Sequence, residues 1–185
     1  MNKTRALLAI SGLMALAPTS FAADGTIDLT GIIKPTTCIV LTSNVAIPLT
    51  SAAGISARTF TGVGSASTWT AAVPLKLDCT GNVSDVFMTV TDATTPSNRS
   101  SILSLTAGSA ASGIGIELSI FGKPKMSFGP DSAAIGTVNQ FKVVDAADAN
   151  TAEVIINFSA RYVQTAARVV SGTANGAATF TMAYQ

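Results

Sequence analysis

Beyond the first 22 residues, no stretch of this chain carries a convincing set of apolar residues at i, i+3, i+4 and i+7 over three turns, which argues against helical bundles and α/β layers alike. The period that recurs is two. Alternating or β-branched runs occupy residues 38–41, 45–49, 73–79, 86–91, 102–105, 114–121, 141–144, 154–163 and 179–184. Turn-rich stretches separate them at 61–67, 94–100, 108–113, 129–136 and 171–176. Eight or nine short strands at such spacing, with no linker and no repeat of 20–50 residues, predict one all-β antiparallel sandwich. The 145–152 stretch is alanine-rich but short, and reads as a loop.

Composition narrows the chemistry. Of 185 residues, 48% are hydrophobic and only 11% charged, enough apolar surface for one core and against disorder. There is no histidine, which removes Ser-His-Asp and Cys-His catalysis and histidine metal sites together. Two cysteines cannot make a four-cysteine zinc site. A formal net charge of +1 points to no nucleic-acid partner. The sequence predicts no enzyme, no cofactor and no metal.

The first 22 residues read as a signal peptide: Lys3 and Arg5 are basic, residues 6–17 are apolar, and Ser20-Phe21-Ala22 offers small residues where a peptidase reads them. A stretch that short cannot span roughly 30 Å of hydrocarbon as a helix. Cleavage is expected after Ala22 or Ala23. Export makes a Cys38–Cys79 disulfide the default, with free thiols the weaker alternative. Closing that loop adds about 4 kcal/mol by chain entropy where the geometry is unstrained.

Both ends of the exported part carry amphipathic strands. After the cleavage site, Ile27, Leu29, Gly31 and Ile33 share one face and Asp28 and Thr30 the other, before Lys34-Pro35 interrupts. At the C-terminus Ala178, Phe180, Met182 and Tyr184 share a face, one residue short of the final Gln185. Such a strand needs a partner on both edges or becomes a template for aggregation.

Together these residues resemble the pilin subunits of chaperone–usher, type 1-like fimbriae. The resemblance covers essentially the whole chain. It rests on the signal peptide, the alternating segment with a central Gly31, Cys38 followed by Cys79, Gly172 as the fourteenth residue from the end, and the penultimate Tyr184. It implies residues 1–22 as signal peptide, 23–35 as donor-strand extension and 36–185 as pilin domain. The implied fold is an incomplete immunoglobulin-like sandwich lacking its last strand, completed in trans. Partners implied are a periplasmic chaperone that fills the gap, an outer-membrane usher, and neighbouring subunits of a homopolymer at the cell surface. Ile27, Leu29, Gly31 and Ile33 would be the donor face. Gly172, Phe180, Met182, Tyr184 and Gln185 would form the strand that lines the acceptor groove and meets the chaperone.

Other signals are weaker. Asn82, Asn98 and Asn157 open glycosylation-type triplets that carry little weight in a bacterial periplasm. Asp145 and Asp148 form a carboxylate pair that reads as a solvated turn rather than an acid–base device. Trp69, the single tryptophan, reads as packing rather than a sugar platform. Gly113-Ile114-Gly115 lacks the third glycine of a dinucleotide motif. Alternatives to a major rod subunit are a minor or adaptor subunit, or a secreted carbohydrate- or receptor-binding adhesin module. A tip adhesin is expected to carry an additional receptor-binding domain and to lack a donor extension.

Overall fold

The computed structural model describes residues 37–42, 44–50 and 54–185. The expected signal peptide and the expected donor face Ile27, Leu29, Gly31 and Ile33 lie outside the described residues.

Seven strands are described: β1 (Ile39–Val40), β2 (Val73–Asp78), β3 (Val86–Asp92), β4 (Ile114–Ile120), β5 (Gln140–Val144), β6 (Val154–Gln164) and β7 (Ala178–Tyr184). They form a four-stranded sheet in the order β1-β2-β6-β4 and a three-stranded sheet in the order β5-β3-β7. Every pairing is antiparallel.

The period of two becomes the core. Leu75 and Leu77 of β2, Ile156, Phe158, Ala160 and Tyr162 of β6, and Ile116 of β4 are buried on the inner face of the larger sheet. Val86, Met88 and Val90 of β3 face them from the smaller sheet, and Met126 and Phe128 fill the space between. β3 is buried on both faces because the 129–139 loop covers its outer side. The Thr89 hydroxyl donates to Ser132 O at 2.8 Å, and Asn139 Nδ2 donates to Val90 O at 3.2 Å. The disulfide Cys38–Cys79 fastens the residue before β1 to the residue after β2.

Two expected strands do not pair as strands. The 102–105 stretch makes only isolated bridges, Leu103 with Ile116 and Leu105 with Gly176. The 45–49 stretch is extended and its odd residues, Val45, Ile47 and Leu49, pack on the core, yet it belongs to no ladder. Its alternation is genuine, but Pro48 donates no hydrogen bond and a groove separates it from β7. The 145–152 stretch is a loop with one 3₁₀ turn at Ala146–Asp148.

On the outer face of the larger sheet, Glu117 of β4 sits opposite Arg161 of β6, and its side chain is only 4% exposed. Arg161 Nη2 and Lys125 Nζ lie 2.7 and 2.9 Å from its carboxylate oxygens. Burial pushes the Glu117 carboxyl up, but these hydrogen bonds outweigh it and hold it below the usual glutamate range. The Arg161 guanidinium lies 4.5 Å from the centre of the Trp69 ring. Trp69 thus does not cap the core as expected: it stacks with this arginine on the outer face, with 38% of its surface exposed.

Candidate functional site

β7 is an edge strand: it pairs with β3 from Ala178↔Asp92 to Tyr184↔Val86, and among the described residues nothing pairs with its other side. Gln185 continues the ladder by exchanging two backbone hydrogen bonds with Asp85, at 2.9 and 3.0 Å, so the last residue is held in register. Asp85 is itself fixed by Lys142 Nζ at 2.7 Å and by the Ala146 N–H at 2.6 Å. Those hydrogen bonds hold its carboxyl below the ordinary aspartate range.

Phe180, Met182 and Tyr184 share the inward face of β7, as their alternation requires. They pack on the core but remain only half-buried, unlike Met88 and Val90, their neighbours on β3. Phe180 borders a groove of about 740 Å³ between the 176–180 wall and the 44–49 stretch, and Met182 and Tyr184 lie beyond its lining. Met88, Val90, Leu118 and Phe158 line it from the core, and Val45, Ile47 and Leu49 form the far wall. A second hollow of about 320 Å³ begins where the first ends, at Thr50 on one wall and Asn175 on the other, and reaches Phe60 and Val170. The two follow one another as a trench, mainly apolar where it runs beside the edge of β7 and mixed in polarity at the second hollow. Such an edge can gain a whole strand's worth of main-chain hydrogen bonds and alternate-side-chain burial.

Gly172 lies outside β7, in the approach to it, and lines the second hollow. A Cβ there would stand 2.6 Å from the Ala110 and Ala111 backbone, so glycine is what lets the two segments touch. Sequence reasoning missed Gly176, where a Cβ would meet Ile116 Cδ1 at 2.6 Å inside the groove. The only hint was the turn-like Asn175-Gly176 pair. It also missed the 45–49 wall, because alternation reveals an amphipathic strand but not which neighbour it lacks.

The remaining candidates are accounted for locally. Asn82 is fully buried and its Nδ2 donates to Ser84 O at 2.8 Å. Asn98 Nδ2 donates to the buried Asp92 at 2.8 Å, and Asp92 also accepts from the backbone of Thr94, Thr95 and Ser104. Asp145 and Asp148 are exposed, and Asp145 lies 3.1 Å from Lys142 Nζ.

A two-sheet antiparallel sandwich of this order, with its C-terminal strand at an open edge, has the immunoglobulin-like fold of pilin domains. A chaperone–usher pilus structure superposes with a TM-score of 0.56 at 17% identity, over 91% of this chain and 100% of that one. The CupB6 tip adhesin from Pseudomonas aeruginosa superposes with a TM-score of 0.52 at 23% identity, over 68% of this chain and 32% of that one. These likenesses concern the fold. The fimbrial protein family profile matches residues 27–185, and the chain belongs to that family. Among curated relatives, the F17c-G fimbrial adhesin of Escherichia coli is 40% identical over 112 residues, which is 60% of this chain and 32% of the adhesin. The F17a-G fimbrial adhesin of Escherichia coli is equally similar over 31% of its length. The chain thus spans about a third of the length of the curated relatives it matches.

Proposed function

We propose that this chain is a structural subunit of a chaperone–usher fimbria, joined to its neighbours by donor-strand complementation and displayed at the cell surface after export through the periplasm. The observation that carries this reading is the unpaired edge of β7 above an apolar trench, with Phe180, Met182 and Tyr184 half-buried on its inner face. Residues 1–22 act as the signal peptide, 23–35 as the donor extension and 36–185 as the pilin domain. Ile27, Leu29 and Ile33 of one subunit enter the trench of the next, and Gly31 sits where the floor leaves no room for a side chain. Burying three large aliphatics contributes roughly 5–9 kcal/mol before ordering costs. A slip of one residue would turn Asp28 and Thr30 inward, which sets the register.

Before assembly a periplasmic chaperone fills the same trench with a strand of its own, and an outer-membrane usher exchanges the two. The ladder that fixes Gln185 holds this end of β7 at a defined place for the chaperone. Gly172 serves as a wall of the trench, not as part of the paired strand.

The test is covalent complementation. A linker followed by residues 26–33, fused after Gln185, is expected to convert an aggregating subunit into a cooperative monomer. A subunit lacking residues 23–35 that is already a stable monomer would show that the sandwich needs no added strand. A second reading, an adhesin module or adaptor, draws on the similarity to the F17 adhesins. Binding of the complemented monomer to a glycan array, with no effect of its deletion on fibre number, would favour that reading.

A further inference from the structure

The two tyrosines of this chain make the same kind of contact on either side of the groove's β7 wall, which runs from Gly176 to Phe180. Tyr184, on β7 of the smaller sheet, donates its hydroxyl to Cys38 O at 3.0 Å, at the head of β1 in the larger sheet. Tyr162, on β6 of the larger sheet, donates to Ala174 O at 2.5 Å, in the segment that leads into β7. The two clips thus cross between the layers in opposite senses. Their contacts on the β7 wall, residues 174 and 184, bracket Gly176 and the strand edge 178–184. Between these points the described 44–49 and 176–180 walls share no backbone hydrogen bond, because the groove lies there.

Phenylalanine would bury the same rings, so packing alone does not call for the hydroxyls. A buried hydroxyl must find a partner or cost free energy. Both find a main-chain carbonyl, a partner whose position is set by the backbone and not by a rotamer. Cys38 is fixed further by its disulfide to Cys79. Ala174 lies next to Asn175, whose carbonyl accepts from the Thr106 N–H at 2.7 Å. Each clip therefore ties one layer to an anchored point near the other wall.

We infer that Tyr162 and Tyr184 are positioning residues that hold the empty trench at strand width. This rests on the donor-strand reading of the trench and adds what keeps it open. An unfilled apolar groove gains by closing on itself, as burial of the half-exposed Phe180 and Met182 would favour. A collapsed trench must reopen before a strand enters, and the fraction of competent molecules multiplies the apparent affinity. Without the hydroxyls the packing remains and that competent fraction falls.

The experiment uses the exported chain with its disulfide intact, diluted from urea to a nanomolar concentration that prevents aggregation and self-pairing, and an excess of a fluorescein-labelled peptide of residues 24–35. Binding is followed by anisotropy for the wild type, Tyr162→Phe, Tyr184→Phe and the double variant. Urea unfolding is measured for each chain with and without saturating peptide. One hydroxyl hydrogen bond lost from the open state lowers peptide affinity by about fivefold per variant, with the loss compounding in the double. The peptide-saturated variants lose more urea resistance than the peptide-free ones, because the bound chain must stay open without the bond while the free chain can relax into the closed form. If the hydroxyls serve stability alone, all forms lose urea resistance equally and affinity does not change, which overturns the inference. If the wild-type chain fails to bind the peptide, the donor-strand reading itself falls and takes the inference with it. The two failures are thus told apart.

Discussion

Truncating Phe180 to alanine separates an open groove from a finished core. Phe180 is half-buried on β7, opposite Val90, and lines the groove. A fully buried Phe→Ala costs about 3–5 kcal/mol. In the empty subunit part of the ring already faces solvent, so the loss there is about 1–2 kcal/mol by the same scale. Once a donor strand covers the ring, the full cost of about 3–4 kcal/mol applies. The difference, about 2 kcal/mol, is expected to appear as a roughly 30-fold weaker hold on the donor strand. Urea unfolding of the C-terminally complemented subunit, beside peptide binding to the uncomplemented one, measures both quantities. Equal destabilisation of the two forms, with unchanged peptide affinity, would refute the claim that Phe180 faces an open acceptor groove.

Leu29→Asp puts a charge into an apolar groove at a cost of several kcal/mol; co-purification with the chaperone is expected to survive while fibres counted by electron microscopy disappear. Tyr184→Asp damages the acceptor side, so chaperone capture itself is lost and the subunit is degraded in the periplasm. Gly172→Ala forces a Cβ to within 2.6 Å of the Ala110 and Ala111 backbone, and is expected to lower the stability of the complemented subunit by about 1–3 kcal/mol in urea titration. Glu117, held below the ordinary glutamate range by Lys125 and Arg161, supports the fold above its unfolded-state value and loses that support as pH falls through its lower folded value. Unfolding midpoints compared between neutral pH and pH about 3 should therefore fall in the wild type and change less in Glu117→Gln, which starts lower at neutral pH.

Periodicity exposed most of the strands because each has one wet and one dry face. β2, β3, β4, β6 and β7 lie within a residue or so of the alternating runs. The cysteine pair was legible for a different reason, since export and an even count leave a disulfide as the default, and Cys38–Cys79 is formed. Pairing was not legible. The 45–49 and 102–105 stretches alternate as well as the others, yet neither joins a ladder, because a ladder needs a neighbour at about 4.8 Å and sequence does not record who that neighbour is.

The same limit governs the site. Alternation marked Phe180, Met182 and Tyr184 as one face, and that face is where the sequence placed it. That the face borders a groove, and that Val45, Ile47 and Leu49 wall its far side, depends on contacts between residues more than a hundred positions apart. Gly172 was marked by the resemblance but not the Ala110–Ala111 backbone it touches, and Gly176 looks like an ordinary turn glycine until the side chain of Ile116 is brought against it. Tyr162 is one apolar position of β6 in the sequence, and only folding brings its hydroxyl to Ala174. The sequence by itself determined which faces must be buried, because solvent sorts side chains by a period that a single strand carries alone. The tertiary structure decided which buried face would lack its cover, because that is a property of two layers meeting and leaving the edge of β7 unpaired among the described residues.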